Sequence, residues 1–289
     1  MNSPLISLIT LTHNKSACTK LCLPTLLNSS PANWELIVVD NGSTDDTISW
    51  LHEFKNKCST YNISVSIVQN AKNVGCSTAR NQGAEKAKGK YFVFMDNDVA
   101  VRTASWLEKL MACMESDKKT AIVGPKLVYP LPPYKIQCAG VAISPSGRPL
   151  FRGRGCLNDA PEFNKSCTVQ ALISACFMVK ADIFRKTGGF DEAFNPVEYE
   201  DFDLCYKISS LGFKVFYCAD TEMYHIESIT TARTPSLYNT ALIIRHGLLF
   251  KKRWASVFQN EGGPPDRETR WRKIPPINLD DIQSLPLIK

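Results

Sequence analysis

No stretch of this 289-residue chain is long and apolar enough to cross a bilayer. The longest candidate, Val169 to Val179, is interrupted by Gln170 and Ser174 and reaches about half the ~20 residues a spanning helix needs. Met1 to Leu5 carry no charged leader segment and no cleavage site, so no secretory signal is expected. No Cys-x-x-Cys pair occurs, and the 11 cysteines form an odd, scattered set. This excludes a disulfide framework and predicts reduced, mostly buried thiols in a cytosolic protein. The first apolar run is not followed by Gly-x-Gly-x-x-Gly, which argues against a dinucleotide dehydrogenase. Gly-x-Ser-x-Gly, a Walker loop and a legible Ser/His/Asp arrangement are also missing. Charge is only mildly unbalanced. The 34 Lys plus Arg against 28 Asp plus Glu leave +6, enough for an anionic ligand or a membrane surface but too little for a nucleic-acid partner.

What is present is an α/β pattern. Short apolar runs at Ile6–Leu11, Leu36–Val39, Ile63–Val68, Tyr91–Met95 and Ala121–Val128 read as strands. Between them, Lys15–Leu27, a segment capped by Thr44 and running to about Lys57, Cys76–Lys88 closed by Gly89, and Ser105–Ser116 read as helices. Fully apolar strands separated by helices predict a parallel sheet covered on both faces, with ligands beyond the carboxyl ends of the strands. Asp40 and Asp96 both fall at such ends, so one shared cleft is expected. From Pro130 to Lys165 the chain is loop-rich. Val169–Val179 is a buried strand or helix, Glu200–Leu211 a helix, and Phe213–Tyr217 a strand. Ser236–Phe258 is a long amphipathic helix with a break near Gly247, and the Pro-rich remainder is expected to be loosely ordered. No linker divides the chain.

Several residue groups could carry chemistry, and each has a plainer reading beside it. Asp96-Asn97-Asp98 can offer two carboxylates to a divalent cation, or can be an ordinary turn. Asp40-Asn41-Gly42-Ser43 can accept hydrogen bonds from a base or ribose, or can simply lead into a helix. Arg80 can clamp a diphosphate at a helix N-terminus that favours anions, or can be a solvated surface arginine. Glu198, Glu200, Asp201 and Asp203 crowd a helix start. There they stabilise the helix dipole, or one of them acts as a general base aimed by the flexible Gly188-Gly189-Phe190. His225 gains meaning only beside a metal.

The order of these motifs is more specific than any one of them. Ile6–Asn14, Val38-Val39-Asp40-Asn41-Gly42-Ser43-Thr44-Asp45 and Asn73-Val74-Gly75 with Ala79-Arg80-Asn81-Gln82-Gly83 come first. Phe94-Met95-Asp96-Asn97-Asp98, Gly188-Gly189-Phe190-Asp191 and Glu200-Asp201-Phe202-Asp203-Leu204 follow. Over about residues 4 to 228 this closely resembles the family 2 glycosyltransferases, in particular the rhamnosyltransferase-like enzymes of bacterial cell-surface polysaccharide synthesis.

The resemblance implies a GT-A fold, a Rossmann-like, mostly parallel sheet flanked by helices. A glycosyltransferase domain would span 1–235, with a nucleotide-binding half at about 1–129 and an acceptor half at about 130–235. Residues 236–289 would form a C-terminal helix and tail. It implies a nucleotide-sugar donor such as a UDP- or dTDP-sugar, Mn2+ or Mg2+, and inversion at the anomeric carbon. The acceptor would be a carbohydrate, lipid-linked or peptide hydroxyl. Thr10, Thr12, Asn14, Asp40, Asn41, Asn73, Arg80, Asp96 and Asn97 would lie on the donor. Asp98 and His225 would hold the metal, and Asp201 would be the catalytic base.

Two departures stand out. Asp40-Asn41 replaces the Asp-Asp of many members, and Thr12-His13-Asn14 lacks the aromatic that often precedes the asparagine. Beyond the resemblance, Arg245, Lys251, Lys252 and Arg253 with Leu248, Leu249, Phe250 and Trp254 form a basic amphipathic stretch. It either lies on an anionic membrane at the inner face or covers the catalytic core, the second being preferred. A nucleotidyltransferase is the competing enzyme, but Thr10 to Lys15 lacks its Gly-rich basic loop. A non-catalytic nucleotide-sugar binder would have lost Asp96-Asn97-Asp98 or the late acids, and both are intact.

Overall fold

The computed structural model describes residues 5–28, 33–227 and 237–289, with side chains of the last segment from residue 240. The expected boundary at 235/236 lies outside the described residues. The first half comprises β1 (Ile6–Thr12), α1 (Ser16–Cys22), β2 (Trp34–Asp40), α2 (Thr47–Ser59), β3 (Ser64–Gln69), α3 (Cys76–Lys86), β4 (Tyr91–Asp96), β5 (Val99–Val101), α4 (Trp106–Glu115) and β6 (Thr120–Val128). The second half adds β7 (Ile136–Cys138), β8 (Val141–Ile143), β9 (Pro149–Phe151), β10 (Cys167–Thr168), β11 (Cys176–Lys180), α5 (Ala181–Lys186), α6 (Glu200–Ser210), β12 (Lys214–His225) and α7 (Leu237–Phe258).

One sheet runs in the order β10-β12-β6-β11-β4-β1-β2-β3, with β5 added to β12 and β7 to β6. Strands β3, β2, β1 and β4 are parallel neighbours, as expected, with the edge strand β3 exposing alternate residues. The sheet is nevertheless mixed. β11 lies antiparallel between β4 and β6, because it starts from Ser174 and Ala175 at the cleft end and runs back. Register lines up the cleft residues: Thr12 pairs with Asp40 across β1–β2, and Leu11 with Asp96 across β1–β4. A continuous core reaches from Ile6 to Phe258. At its centre Phe94 meets Phe190 edge to face at 4.9 Å, with Phe177 and Phe184 around them.

The elements depart from expectation where local chemistry overrides periodicity. α1 stops at Cys22 and tightens into a 3-10 turn over Leu23–Asn28, because Pro24 has no N–H to continue the α pattern. Thr44 does not cap α2. Asp45 accepts from Thr47 N at 3.0 Å, while Thr44 donates its N–H to Asn14 Oδ1. α3 ends at Lys86, and Gly89 is a point of close approach instead of a cap. A Cβ there would lie 2.6 Å from Ser7 N. The strand expected at Phe213–Tyr217 continues through a bulge between Cys218 and Glu222 as far as His225. α7 passes Gly247 unbroken. The tail is held. Ile277, with Leu279, Ile282 and Leu285, covers an apolar cluster around Tyr224 and Val128, and Ile288 bridges to Thr103.

The close approach of Gly89 to β1 is a test of this packing. Gly89→Ala should destabilise the protein by about 1–3 kcal/mol, read as a lower urea midpoint with unchanged slope.

Candidate active site

The end of β4 and the end of β12 meet through β5. Asp96 closes β4 and Asp98 precedes β5, whose Val99 pairs with His225. Ile226 N donates to Asp98 O at 3.0 Å, which fixes the two ends side by side. His225 Nε2 lies 3.3 Å from Asp98 Oδ1. Asp96, Asp98 and His225 each present a ligand atom, all within 4.8 Å of one another. Asp98 Oδ1 is buried and accepts no hydrogen bond, an unmet oxygen that a cation would satisfy. Two carboxylates and one imidazole suit a hard or borderline divalent ion such as Mg2+ or Mn2+. Burial works against protonation of His225, but Asp98 and Asp96 outweigh it and hold its pKa above the ordinary value.

The acidic run before α6 is sorted by environment. Asp203 is fully buried and accepts from Arg253 at 3.0 Å and Trp254 Nε1 at 2.9 Å, so it ties α6 to α7. Glu200 accepts from Arg80 at 2.7 Å. Glu198 is pushed up to about 7 by burial and by the Glu200 charge. Asp201 accepts from Ser174 N at 3.0 Å and from Phe202 N at 2.8 Å. Burial, then Glu200, raises its pKa well above the usual carboxylate range. Glu198 and Tyr199, at φ 86° and 71°, both adopt the left-handed conformation, which costs ~1–3 kcal/mol per non-glycine residue. α7 holds them there. His246 Nδ1 bonds Val197 O at 2.9 Å, and Tyr199 packs on Phe250. Gly188-Gly189-Phe190 is anchored where flexibility was expected. Phe190 is buried, and Asn81 bonds both its N–H and its carbonyl.

Arg80 is buried, with NH1 on Glu200 Oε1 and NH2 on Asp96 Oδ1, each at 2.7 Å. Two of the five N–H donors of the expected diphosphate clamp are therefore spent on bracing two carboxylates. The N-terminus of α3 is likewise taken. Cys76 N donates to Pro196 O and Ser77 N to Asn195 Oδ1.

The expected donor residues divide into those that are open and those that are committed. Asp40 binds Ser43 N through Oδ2 and leaves a buried Oδ1 unpartnered. Asn41 donates to Asn73 Oδ1 at 2.9 Å and accepts from Val74 N, and Asn73 is exposed at the loop surface. Thr12, Thr19 and Asn97 form a buried hydrogen-bonded knot, so Thr12 and Asn97 face each other. Asn14 Oδ1 is spent on Thr44 and Asp45. Thr10 is buried two residues short of the strand end, its hydroxyl unpartnered. The sequence reading missed Gln137, whose Oε1 lies 2.8 Å from His225 Nδ1. It sits in a three-residue strand with no legible motif.

The model of the family described as glycosyl transferase family 2 matches residues 7–188. An uncharacterized protein of Sinorhizobium fredii is 28% identical over 261 residues, covering 87% of this chain and 28% of that protein. The O-antigen biosynthesis protein RfbC of Myxococcus xanthus is 31% identical over 159 residues, 51% of this chain and 12% of RfbC. The chain thus spans less than a third of either relative. Among solved structures, GalNAc-T7 with UDP, GalNAc and Mn2+ superposes with a TM-score of 0.69 at 18% identity, over 88% of this chain and 50% of that one. That similarity gives the fold, a GT-A sheet.

Glu198 offers a pH test. Its pKa is raised on folding, so its contribution is fully present below the unfolded value near ~4.5 and is lost as pH rises through about 7. Glu198→Gln should therefore gain about 1–3 kcal/mol on wild type between pH 5 and pH 8, measured by denaturant titration at both.

Proposed function

From the premise that the chain belongs to glycosyl transferase family 2, we propose that it transfers a sugar from a nucleotide-sugar donor to an acceptor hydroxyl with inversion. The observation that carries this reading is one dipeptide. Ser174 N donates to Asp201, while the next residue, Ala175, accepts from Asp96 N at 2.9 Å. Successive residues of one short segment thereby reach Asp201 and the end of β4, which supports reading the acidic cluster and the candidate base as parts of one site.

Asp96, Asp98 and His225 would hold Mn2+ or Mg2+, which when bound offsets the negative charge of a donor diphosphate. Arg80, held between Asp96 and Glu200, keeps the carboxylates at their separation. Asp40 meets the nucleotide with its free Oδ1, and Asn73 lies at the rim. Asn14, Asn41, Thr12 and Asn97 shape the loops beneath the donor, and Thr10 lies under them. As the sugar–diphosphate bond breaks, the anomeric carbon becomes oxocarbenium-like. Asp201 Oδ takes the proton of the acceptor hydroxyl attacking the opposite face, assistance worth ~10²–10⁴-fold.

The donor reading is a UDP- or dTDP-sugar, hexosyl or rhamnosyl, used in polysaccharide or glycoconjugate synthesis. The structural relative holding UDP and the relative in O-antigen biosynthesis support it. We assign 1–129 to the nucleotide half, 130–235 to the acceptor half, and 236–289 to the helix and tail. No helix among the described residues is long and apolar enough to cross a membrane. A peripheral contact at an anionic inner membrane face is supported by Ile244 and Leu248, 58% and 62% exposed on a helix that also carries Arg245 and Lys252.

The test is release of nucleoside diphosphate from a panel of nucleotide sugars with Mn2+, with and without EDTA. Release that EDTA abolishes supports transfer chemistry. Pyrophosphate chemistry would mark a nucleotidyltransferase, and no turnover with tight nucleotide binding would mark a binder. Asp201→Asn should cut transfer at least ~10²-fold while donor affinity, measured calorimetrically, stays within a few-fold. Full activity would remove Asp201 from the role.

A further inference from the structure

We propose that Gln137 is a positioning residue for the cation site, holding the Nδ1–H of His225 so that Nε2 is the ring atom turned toward the cluster and free to take a cation. The proposal rests on the reading of Asp96, Asp98 and His225 as metal ligands, and its test separates the two.

An imidazole that ligates through Nε2 must carry its proton on Nδ1, and the group facing Nδ1 decides that. Here the facing atom is Gln137 Oε1 at 2.8 Å, an acceptor that a Nδ1–H satisfies. Nε2 then faces Asp98 Oδ1 at 3.3 Å, the oxygen left without a hydrogen bond. Gln137 is 1% exposed, so bulk water does not compete with it for Nδ1. The backbone fixes its distance from His225. β7 is paired to β6 through Leu127↔Cys138 and Val128↔Ile136, and β6 in turn is paired with β12 through Val128↔Tyr224, one residue before His225. Two strands anchored to the same third strand thus set the imidazole between an uncharged acceptor and a carboxylate. Without that acceptor the Nδ1–H is a buried donor with no partner. The ring then gains by turning away or by moving its proton to Nε2, and either change removes a ligand from the cluster. Partners of this kind behind a ligating histidine typically tune metal affinity 10–100-fold.

The experiment titrates the full-length protein with Mn2+ alone, reading free aquo-Mn2+ by electron paramagnetic resonance. Wild type, Gln137→Leu, Gln137→Asn, Gln137→Glu, His225→Ala and Gln137→Leu/His225→Ala are compared, with thermal transitions recorded for each. Leucine offers no acceptor and asparagine is one methylene too short, so both should weaken Mn2+ binding ~10–100-fold. Glutamate keeps an acceptor and should stay within ~3-fold of wild type or bind more tightly. The double variant should be no weaker than His225→Ala, since the glutamine acts through the histidine. If Gln137→Leu does not fold, Gln137→Asn carries the comparison. Wild-type Mn2+ affinity in the folded Gln137 variants, with His225→Ala weakened, overturns the proposal and leaves the cation site standing. Wild-type affinity in His225→Ala overturns both.

Discussion

Arg80 places a guanidinium between Asp96 at the end of β4 and Glu200 at the start of α6, with almost no access to water. A cation in that position is tolerated only because both carboxylates are within hydrogen-bonding distance. Removing it would leave two acids facing each other in a poorly solvated space, a loss of ~3–5 kcal/mol for a buried pair. The arginine comes from α3, which packs on β1 and β2, so the parallel half of the sheet and the start of α6 share one electrostatic joint. Asp201 feels that joint directly. Glu200 raises its pKa and Arg80 partly offsets the rise. The brace therefore acts on Asp201 second to its burial, which is the larger cause of the raised pKa.

The parallel half of the sheet was legible because its central strands are mostly apolar and two of them, β2 and β4, end in acids. Ile6, Leu36 to Val39 and Tyr91 to Met95 can be buried only between covered faces. The second half was less legible because its strands are two to five residues long, or continue through a bulge. β12 looked finished at Tyr217, since Cys218 to Glu222 breaks the period of two. Its continuation to His225 is visible only once β5 is seen to pair with it. The tail was misread for a related reason. Ile277, Leu279, Ile282 and Leu285 follow no helical or strand period, yet each has an apolar surface to cover.

Within the site, sequence could place acids but not their partners. Asp98 and His225, the expected metal ligands, are joined within 4.8 Å by Asp96, which was expected on the donor, and Arg80 spends two of its donors on Asp96 and Glu200. Partnership depends on residues far apart in the chain, and nothing in local spacing marks Glu200 rather than a phosphate as the match for Arg80. Asp203 is similar. It lies in the same acidic run as Asp201, but Arg253 and Trp254 from α7 claim it. The preference for α7 as a cover over the core follows from the same contacts, with Phe250 and Phe258 buried against α6 and its surroundings.

The departure at Asn41 acquires a reason from its neighbours. Its amide donates to Asn73 Oδ1 and, at 3.4 Å, to Gly75 O, while its carbonyl accepts from Val74 N and Asn70. A carboxylate at this position could accept from Val74 but would set its other oxygen against two acceptors. That arrangement repels, and it would open the loop that delivers Asn73 to the rim. The asparagine thus closes the loop without charge, and Asp40 is left as the one acid at this strand end. Its Oδ1 is buried and free. A buried carboxylate oxygen with no donor is costly in isolation, and it gains most from a ligand that brings an N–H or O–H into the cleft. The same logic applies at Asp98 Oδ1. Asp40 Oδ1, at the end of β2, suits a hydrogen-bond donor, and Asp98 Oδ1, just before β5, suits a cation.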